Sequence, residues 1–344
     1  MRDRLLQLLR CPRCRSALTL EGPRRDHGGS IESGTLSCAN GCHFPIEGGI
    51  PRFVPRENYA ENFGLQWKRF GRVQLDSAAG NDISRTRFLA TTGWTRESIA
   101  GRLVLDGGSG AGRFAEITLS LGAEVVTMDF SAAIDSCQDN LSAAHGAQVH
   151  FVQGDLLRPP FAPGAFDAAY SMGVLQHTPD PFLALSRLVA GVRPGGSVVA
   201  DIYERGKLRY LNSIYWLRPL LRHLPPEVLL PSVELAVRLL HPLKSRLLSA
   251  FAGHAIPTVL TSMLLPINAH HQQFPFLSAA QALDWAVLNT FDAYSPRFDQ
   301  PQTREGMLRW GRTLGLDALE VFTDPGKGDG TALVCRGFAP GAGR

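Results

Sequence analysis

Apolar and polar residues follow a regular order between residues 101 and 203. Short apolar runs of the kind that form buried strands occupy 102–107, 124–129, 148–152, 166–171 and 196–203. Segments with apolar residues every three to four positions, at 112–121, 131–145 and 180–191, predict helices among them. Strands that alternate with helices favour a parallel sheet with right-handed crossovers. We therefore expect an α/β protein with a doubly wound sheet.

The chain after residue 203 has a different pattern. Residues 204–300 lack strand alternation and are rich in Leu, Pro and Arg, which predicts a helical insertion. A last helix near 303–314 then precedes two candidate strands, 317–323 and 330–336. The turn residues 324–329 between these strands predict an antiparallel pair at the edge of the same sheet. The pair completes a Rossmann-like sheet of seven strands.

Four of the six cysteines cluster near the start of the chain. They form two close pairs, Cys11 with Cys14 and Cys38 with Cys42, a spacing typical of four thiolate ligands to a tetrahedral zinc ion. His43 could replace Cys42, and reduced buried thiols or an iron–sulfur site are the alternatives. A unit this small needs such a staple, because it cannot build a large core. Cys137 and Cys335 stand apart and are expected in the core.

The net charge and the first ten residues limit which partners and which cellular compartment we expect. The chain has 344 residues, of which 35 are basic and 31 acidic. The net charge of +4 is too mild a surplus to argue for a nucleic-acid partner by itself. The first ten residues carry three arginines and an aspartate among leucines, unlike the apolar core of a secretory signal. We therefore expect a cytoplasmic protein.

A glycine turn follows the first strand of the sheet and opens the first helix after it. Its sequence is Asp106-Gly107-Gly108-Ser109-Gly110-Ala111-Gly112-Arg113. Glycines at alternate positions let the backbone approach a ligand, and the free N–H groups of the helix attract an anion. The spacing differs from the G-x-G-x-x-G pattern of NAD sites. A nucleotide-like ligand other than NAD is therefore indicated.

Acidic residues follow the next two strands. Asp129 ends the strand 124–129, where a ribose diol would lie, and Asp155 follows the strand 148–152. Each aspartate alone could simply cap a helix. Together with Asp106 they outline a ligand along the carboxyl edge of the sheet.

These pieces resemble the class I S-adenosylmethionine-dependent methyltransferases, with a core like that of methyltransferase type 11. The similarity covers about 100 residues in the family's order, from residue 104 through Asp129, Gly154-Asp155-Leu156 and His177 to Arg193-Pro194-Gly195-Gly196. It implies S-adenosylmethionine as the cofactor, with Asp106, Gly108, Gly110 and Gly112 at its methionyl part. It also implies Asp129 at the ribose, Asp155 and Leu156 at the adenine, and Phe130, Ser171 and Met172 as further cofactor-binding residues.

The first 56 residues resemble the small zinc-binding activator subunits of tRNA and protein methyltransferases. The similarity rests on Cys11-Pro12-Arg13-Cys14, the second cysteine pair, and the exit Phe44-Pro45-Ile46 with Gly49-Ile50-Pro51. It implies a structural or docking module fused to the catalytic chain. The expected organisation is a zinc-knuckle domain at 1–56, a helical connector at 57–100, a cofactor-binding core at 101–203, the insertion at 204–300, and a C-terminal helix with edge strands at 301–344.

The connector carries aromatic residues at helical spacing. Tyr59, Phe63, Trp67 and Phe70 are separated by 4, 4 and 3 residues and form one stripe. A helix packed on the next domain is the simpler interpretation, and a cap over the ligand pocket is the alternative.

Methyl transfer to a hydroxyl or a carbon acid needs a base as well as orientation. His177, just after the fourth strand, and Tyr203, at the end of the fifth, are the predicted catalytic residues; His177 could instead only pack against the cofactor loop. His270 and His271 are weaker candidates. Residues 292–296 are expected to return over the site.

The choice of acceptor is expected to depend on the insertion. Residues 247–283 contain no charged Asp, Glu, Lys or Arg, and residues 204–246 carry two lysines and six arginines against three glutamates. This pattern suits either an ordinary helical lid, or a basic surface beside an apolar pocket with peripheral contact to the inner membrane face through 204–283. The apolar run 255–267 is too short for a transmembrane segment. A small or lipid-like acceptor, with O- or C-methylation, is favoured over RNA, and a non-catalytic binding module is the remaining alternative.

Overall fold

The computed structural model describes residues 1–55, 58–206, 211–269, 274, 276–326 and 332–341. His270, His271 and part of the predicted turn at 324–329 lie outside these residues. The described residues form two sheets, one small and antiparallel and the other of seven strands.

The N-terminal unit is a short helix followed by the small sheet. Helix α1 (Asp3–Leu8) leads into β1 (Leu18–Arg25), β2 (Ile31–Cys38), β3 (His43–Glu47) and β4 (Ile50–Pro51), paired in that order. In β3 the buried Phe44 and Ile46 alternate with exposed residues, as expected for a strand with one covered face. The cysteine pairs lie at one end of this unit, in the turn after α1 and in the turn between β2 and β3.

Four short helices connect this unit to the large sheet: α2 (Glu61–Phe70), α3 (Asp76–Ala79), α4 (Ile83–Thr92) and α5 (Arg96–Ile99). Helix α2 carries Phe63, Trp67 and Phe70 of the aromatic stripe predicted from the sequence, and Tyr59 lies just before it. Thr95 and Ser98 form a reciprocal capping box at the start of α5, which fixes the entry into the first strand of the large sheet.

The large sheet confirms the predicted α/β class and its doubly wound order. Its parallel part alternates β5 (Leu103–Gly107), α6 (Arg113–Ser120), β6 (Glu124–Asp129), α7 (Ala133–His145), β7 (Val149–Gln153), β8 (Phe166–Ser171), α8 (Pro181–Gly191) and β9 (Val192–Tyr203). The strand order β10-β11-β9-β8-β5-β6-β7 includes a C-terminal pair described below. Strands β5 and β7 are buried along their whole length, as in sheets with helices on both faces.

After β5 the chain forms β6 and β7 on one side of that strand, and then returns to form β8 on its other side. Ligands of open α/β sheets bind at such a point, outside the carboxyl ends of the strands. Strand β9 begins four residues earlier than predicted, because Val192 pairs with Phe166 before the register shifts at the glycine-containing turn.

The insertion is helical, as predicted, and the C-terminal strands close the sheet. After β9 the chain forms α9 (Ser213–Leu221), α10 (Pro226–Ala250), α11 (Ala255–Leu264), α12 (Ala279–Tyr294) and α13 (Arg304–Thr313). Strands β10 (Asp317–Thr323) and β11 (Ala332–Phe338) then pair antiparallel, and β11 pairs antiparallel with β9. The predicted antiparallel edge is therefore confirmed.

Three apolar clusters hold these parts together. One joins the N-terminal unit to one face of the large sheet and contains, among others, Leu9, Ile31, Leu36, Val126 and Leu188. The second lies on the other face, around Phe88, Phe114 and Tyr170, and the third joins Phe70 to α10 and α12. The N-terminal unit thus shares its core with the sheet.

Candidate active site

The glycine turn between β5 and α6 lies under two side chains from distant parts of the chain. A Cβ atom at Gly108 would lie 2.7 Å from Cγ1 of Val174, and one at Gly110 would lie 3.0 Å from Nε1 of Trp67. Both glycines have positive φ, 100° and 53°. No other residue fits these positions without strain or displacement of a neighbour. The turn therefore packs closely against Val174 and Trp67, and glycine is required at both positions.

Most of the predicted site residues line one cavity at the carboxyl ends of the strands. Its wall includes Gly108, Gly110, Asp129, Phe130, Asp155, Leu156, Met172, His177 and Tyr203. The remaining three, Asp106, Gly112 and Ser171, are not in this wall. Gly112 packs against Leu141 and Cys137, and the Ser171 hydroxyl donates to the Gly107 carbonyl at 2.7 Å. The sequence could not distinguish the lining of the cavity from the layer behind it.

Asp106 lies behind the glycine turn and is buried. Its Oδ2 atom has no hydrogen-bond partner among the described residues. Burial raises the pKa of this carboxyl to about 8, although a hydrogen bond with Tyr170 acts in the opposite direction. A carboxyl in this state accepts a proton or a neighbouring cation at neutral pH.

Asp129 ties the glycine turn to the end of β6. One of its carboxylate oxygens accepts from the Gly110 amide at 2.8 Å, and the other accepts from the amide and hydroxyl of Ser131 at 2.8 and 2.7 Å. Burial raises the pKa of Asp129. The oxygen that accepts from Gly110, Oδ2, has a second lone pair, so Asp129 can still accept from a ligand hydroxyl.

The aromatic residues of α2 and the segment before it cover the cavity. Tyr59 stacks on Phe130 with ring centroids 4.6 Å apart, and Phe63 and Trp67 also line the wall. Burial, with the charges of Asp155 and Asp129, raises the pKa of the Tyr59 hydroxyl. Phe70 of the predicted stripe is buried in a core cluster, and Trp67 packs against that cluster while also lining the cavity. The cap over the pocket, which the sequence left as the alternative, is the arrangement found.

His177 lies at the end of a short 3₁₀ turn (Leu175–His177). Its Nδ1 atom is 3.0 Å from the carbonyl oxygen of Phe298, and its Nε2 atom is buried without a partner among the described residues. Because a carbonyl oxygen only accepts, Nδ1 must carry the proton, and in the neutral ring Nε2 carries the lone pair. The ring packs between Phe63 and Tyr203, at centroid distances of 5.4 and 5.5 Å.

Helix α12 returns to the cavity as expected for residues 292–296. The Tyr203 hydroxyl donates to Oδ2 of Asp292 at 3.2 Å, and Leu288, Asn289 and Asp292 line the wall. Ser295 does not line it but accepts from the amide of Asn62 at 3.0 Å. The predicted insertion therefore contributes to the site through its last helix.

Two arginines that sequence reasoning did not single out also line the cavity. Arg113 donates to the Ser84 hydroxyl at 2.8 Å and to Oε1 of Gln74 at 3.0 Å, both neutral side chains. Burial, together with Arg87, lowers the pKa of Arg113 to about 9, so it remains a cation at neutral pH. Gln66, also in the wall, has a buried Oε1 without a partner among the described residues. The place of Arg113 right after the last glycine of the turn is the sequence feature that could have indicated its position in the cavity wall.

Arg87 is held by two buried carboxylates. Its Nη2 atom lies 2.5 Å from Asp201, and its Nε atom donates to Asp324 at 2.8 Å. Asp201 also accepts from the Gly173 amide in the loop after β8. Residues from α4, β9 and the segment after β10 thus fix one side of the cavity.

The four clustered cysteines converge on one point. Their sulfur atoms all lie within 4.8 Å of one another, and those of Cys14 and Cys38 are 3.5 Å apart. Four thiolates around zinc, at about 2.3 Å each, stand roughly 3.8 Å apart, so the donor set fits this ion. His43 is not in the cluster: its Nδ1 atom lies 2.9 Å from the Ser37 hydroxyl. Cys137 and Cys335 are buried elsewhere, as expected.

Backbone and side-chain bonds connect this cluster to the cavity. The Arg15 guanidinium donates to the carbonyls of Pro159 and Phe161 at 2.8 and 3.1 Å, and the Arg10 amide donates to Pro160 at 2.8 Å. The three acceptors, Pro159 to Phe161, follow Asp155 and Leu156 in the same loop. Residues 52 and 53 also run beside β7, where the Phe53 amide donates to Gln153 at 2.9 Å. The cysteine turns therefore brace one wall of the cavity.

Residues 105–200 match a family model described as a methyltransferase domain. The chain is also 30% identical over 132 residues to a ubiquinone biosynthesis O-methyltransferase of Xanthomonas euvesicatoria, over 38% of this chain and 55% of that protein. It is 33% identical over 131 residues to the protein of the same name from Chromobacterium violaceum, over 37% of this chain and 56% of that protein. The chain spans about half the length of the curated relatives it matches.

Among solved structures, the chain is similar to a 1,6-didemethyltoxoflavin-N1-methyltransferase of Burkholderia thailandensis, which holds 1,6-didemethyltoxoflavin and S-adenosylhomocysteine. The identity is 14% and the TM-score 0.45, over 92% of this chain and 100% of that chain. At that TM-score the likeness carries no conclusion about activity. Residues 105–200 therefore form a methyltransferase domain, and the domain match with the seven-stranded sheet supports a class I S-adenosylmethionine-dependent methyltransferase.

Proposed function

We propose that this chain transfers the methyl group of S-adenosylmethionine to a hydroxyl of a small or lipid-like acceptor. The observation that supports the proposal most directly is the orientation of His177. His177 lines the same cavity as the glycine turn and Asp129, and its buried Nε2 atom has no partner among the described residues. A hydroxyl acceptor needs a base at this place, whereas an amine or thiolate acceptor needs it less.

The cavity offers complementary groups for each part of the cofactor. Gly108 and Gly110 bring backbone close to the methionyl part, with Asp106 behind them to balance its ammonium group. The Arg113 cation and the unpartnered Gln66 are suited to its carboxylate and ammonium groups. Asp129 accepts from the ribose hydroxyls, and Asp155 and Leu156, with Phe130 and Tyr59, enclose the adenine. Gly112 and Ser171 support the turn from behind, and Met172 lines the wall.

S-adenosylmethionine supplies a methyl group bonded to a sulfonium, so the chain must orient the acceptor, exclude water and remove one proton. The acceptor oxygen forms a bond to the methyl carbon as the carbon–sulfur bond breaks, and S-adenosylhomocysteine leaves. Nε2 of His177 takes the hydroxyl proton, and the Phe298 carbonyl stabilises the resulting imidazolium through Nδ1. Tyr203, whose hydroxyl donates to Asp292 and whose ring contacts that of His177, positions the acceptor beside the base.

Two observations favour a small or lipid-like acceptor. Aromatic and apolar residues of α2 and α12 cover the cavity, among them Phe63, Trp67 and Leu288. The curated relatives that match the core are named as O-methyltransferases of ubiquinone biosynthesis. C-methylation remains compatible with the same base, and RNA is the competing acceptor.

The decisive experiment is transfer of a labelled methyl group from S-adenosylmethionine into cell extracts. The extracts are then separated into lipid, small-molecule, RNA and protein fractions. We expect label in the lipid or small-molecule fraction with the wild-type chain, and none with Asp129→Ala, which should also lose cofactor binding in calorimetry. Label confined to RNA would overturn the proposed acceptor. A chain that does not bind S-adenosylmethionine would instead support the non-catalytic binding module.

We also propose that the four cysteines hold one structural zinc ion. The ion would fasten the turns that carry Arg10 and Arg15, and through them the loop that encloses the adenine. Its place at the edge of the sheet is compatible with a docking role toward a further protein.

None of the helices among the described residues combines the length and apolar character that a membrane crossing requires. Cytoplasmic location and peripheral contact of residues 204–283 with the inner membrane face stay predictions.

A further inference from the structure

Large apolar side chains are exposed in one region of the molecule. Of those that the structure describes as exposed, all except Phe338 lie between residues 211 and 276. Single exposed apolar residues are ordinary on a protein surface, but a concentration in one segment is not.

These side chains form a stripe on each of three helices. They are Trp216, Leu217 and Leu220 on α9, Val228, Leu235, Leu239 and Leu243 on α10, and Ile256, Leu260 and Leu264 on α11. The spacings of seven, four and four residues on α10, and of four and four on α11, keep each stripe on one side of its helix. Leu220, Leu239 and Leu264 are 73%, 68% and 76% exposed. We call these ten residues the outer face.

The opposite sides of the same helices are already buried. Leu229, Val233 and Val237 of α10 pack in the cluster that contains Leu288 and Phe291 of α12. Ile214 of α9 belongs to the same cluster. The outer face is therefore additional to the core of the insertion, and folding does not explain it.

The exposed charge beside the outer face is mainly positive. Arg222, Arg238 and Arg246 are exposed, whereas Glu227 is the one exposed carboxylate among the described residues of 211–269. Glu234 is partly buried and lies 3.4 Å from Arg69.

Other cations of this segment are used inside the protein. Lys244 is buried and donates to the carbonyls of Leu265 and Ile267 at 2.9 and 2.6 Å. Arg218 is buried and donates to the carbonyls of Ala293 and Pro296 at 2.9 and 2.6 Å. The exposed arginines are held less firmly: Arg222 donates to Nε2 of the neighbouring His223 at 3.3 Å, and Arg238 acts on the Asp284 carboxyl only through its charge, which lowers the pKa that burial raises.

We infer that the outer face lies on the surface of an anionic phospholipid bilayer. Helices that lie in a bilayer surface combine an apolar side with arginine or lysine beside it. They bind through burial of the apolar side chains and through attraction of the cations to anionic lipids. The outer face is almost entirely aliphatic, with Trp216 as its aromatic member, and offers few groups for the directional hydrogen bonds of a protein interface. A bilayer needs no such groups, since its acyl chains neither donate nor accept hydrogen bonds.

The contact is peripheral. The exposed arginines would lie among the lipid phosphates, while the leucines enter the boundary with the acyl chains. Helix α12, which packs behind α9 and α10, also lines the proposed active site, so one helix connects the outer face with the cavity. The contact itself does not depend on which acceptor is methylated.

Sedimentation of the full-length protein with sucrose-loaded vesicles tests this contact. Vesicles of phosphatidylcholine mixed with phosphatidylglycerol are compared with vesicles of phosphatidylcholine alone. We expect tighter binding to the mixed vesicles, and a roughly tenfold or larger loss with the triple variant Leu220→Ser/Leu239→Ser/Leu264→Ser. Phe338→Ser, an exposed apolar residue outside the outer face, is the matched control and should bind as the wild type does.

The electrostatic part has its own pair of variants. Arg238→Gln/Arg246→Gln should weaken binding to the mixed vesicles and reduce its dependence on salt, whereas Arg309→Gln/Arg312→Gln on α13 should not. Melting temperature and S-adenosylmethionine binding verify that each variant is folded. His177→Ala should bind vesicles normally, so a failure of the proposed catalysis and a failure of membrane contact can be told apart.

Two results would overturn the inference. The first is wild-type protein that remains in the supernatant with both kinds of vesicle, or a triple variant that sediments as the wild type does. The second is a lipid-free dimer in analytical ultracentrifugation that the triple variant separates into monomers, which would assign the outer face to a second copy of the chain.

Discussion

Nδ1 of His177 lies 3.0 Å from the carbonyl oxygen of Phe298, 121 residues further along the chain. This bond fixes which ring nitrogen carries the proton, because the carbonyl has none to give. Nε2 is left buried and unpartnered among the described residues, on a residue that lines the cavity with the glycine turn. In the neutral ring this nitrogen carries the lone pair that a base needs.

Replacement of His177 tests its role as the base. We expect His177→Ala to lower kcat by about 10²–10⁴-fold while the dissociation constant of S-adenosylmethionine changes little, since Nε2 acts on the acceptor. Tyr203→Phe, which keeps the ring beside His177, is the comparison and should cost less. Kinetics with the acceptor found by methyl labelling, and calorimetry for the cofactor, give the two quantities. An unchanged kcat for His177→Ala would assign the residue a packing role.

The parts of the site that were predictable are those encoded within a few residues. The glycine turn, Asp129 and Asp155 each directly follow an apolar strand, so strand prediction also predicts that they lie along one edge of the sheet. The cysteine pairs are equally local, because each pair lies on one tight turn. The strands themselves were predictable because buried parallel strands form short, continuous apolar runs.

The parts that could not be predicted depend on packing between distant elements. Trp67 covers Gly110, and Arg87 joins Asp201 to Asp324, yet nothing near these residues in the sequence indicates the partner. The aromatic stripe of α2 has the same spacing whether it faces a core or a pocket. For the same reason, the sequence alone did not separate Asp106, behind the turn, from Gly108, within the wall.

Gly108→Ala tests how tightly the glycine turn is packed. The new methyl group would collide with Val174 at a positive φ, so we expect loss of S-adenosylmethionine binding. Gly164→Ala, with a φ of 66° but no atom closer than 3.7 Å, measures the effect of backbone strain alone. Val174→Ala should partly restore binding to the Gly108→Ala variant. Equal behaviour of the two glycine variants in calorimetry would refute the packing explanation.

Asp106 should make cofactor binding depend on pH. Its pKa of about 8 means that this carboxyl is mostly protonated in the free protein at pH 6–7.5. A cation bound nearby favours the ionised form, so binding should release a proton, and affinity should rise with pH by at most roughly tenfold per unit up to about pH 8.

Calorimetry in two buffers with different ionisation enthalpies measures the proton released by Asp106. Asp106→Asn is the matched control, because it keeps the shape and cannot titrate. The number of protons released by the wild type minus the number released by the variant gives the contribution of Asp106, because any proton that the cofactor itself loses is the same in both. If the two proteins release equal numbers of protons, Asp106 does not sense the ligand's charge.

The metal assignment predicts which cysteines matter. Elemental analysis of protein purified without chelator should find about one zinc ion per chain, and Cys11→Ser or Cys38→Ser should lose it. Cys335→Ser, at a buried cysteine outside the cluster, and His43→Ala should keep it. Zinc loss should also weaken S-adenosylmethionine binding, because Arg15 holds the loop after Asp155 and Leu156. Wild-type protein without metal would contradict the assignment.

The ion pairs of Arg87 and Arg24 should differ sharply in their effect on stability. Arg87 is buried between Asp201 and Asp324, whereas Arg24 pairs with Glu32 at 2.9 Å with most of its side chain in solvent. Arg87→Met would leave two buried carboxylates without a positive charge beside them and should lower the free energy of unfolding by about 3–5 kcal/mol. Arg24→Met should have an effect too small to resolve in the same urea titration, since exposed pairs gain little over hydration. The titration is done without cofactor, because Arg87 also lines the cavity and a loss of ligand binding would otherwise add to the difference. Equal effects of the two substitutions would mean that protonation or water satisfies Asp201 and Asp324 once the guanidinium is removed. The loop at Gly173 would then not depend on Arg87 for its position.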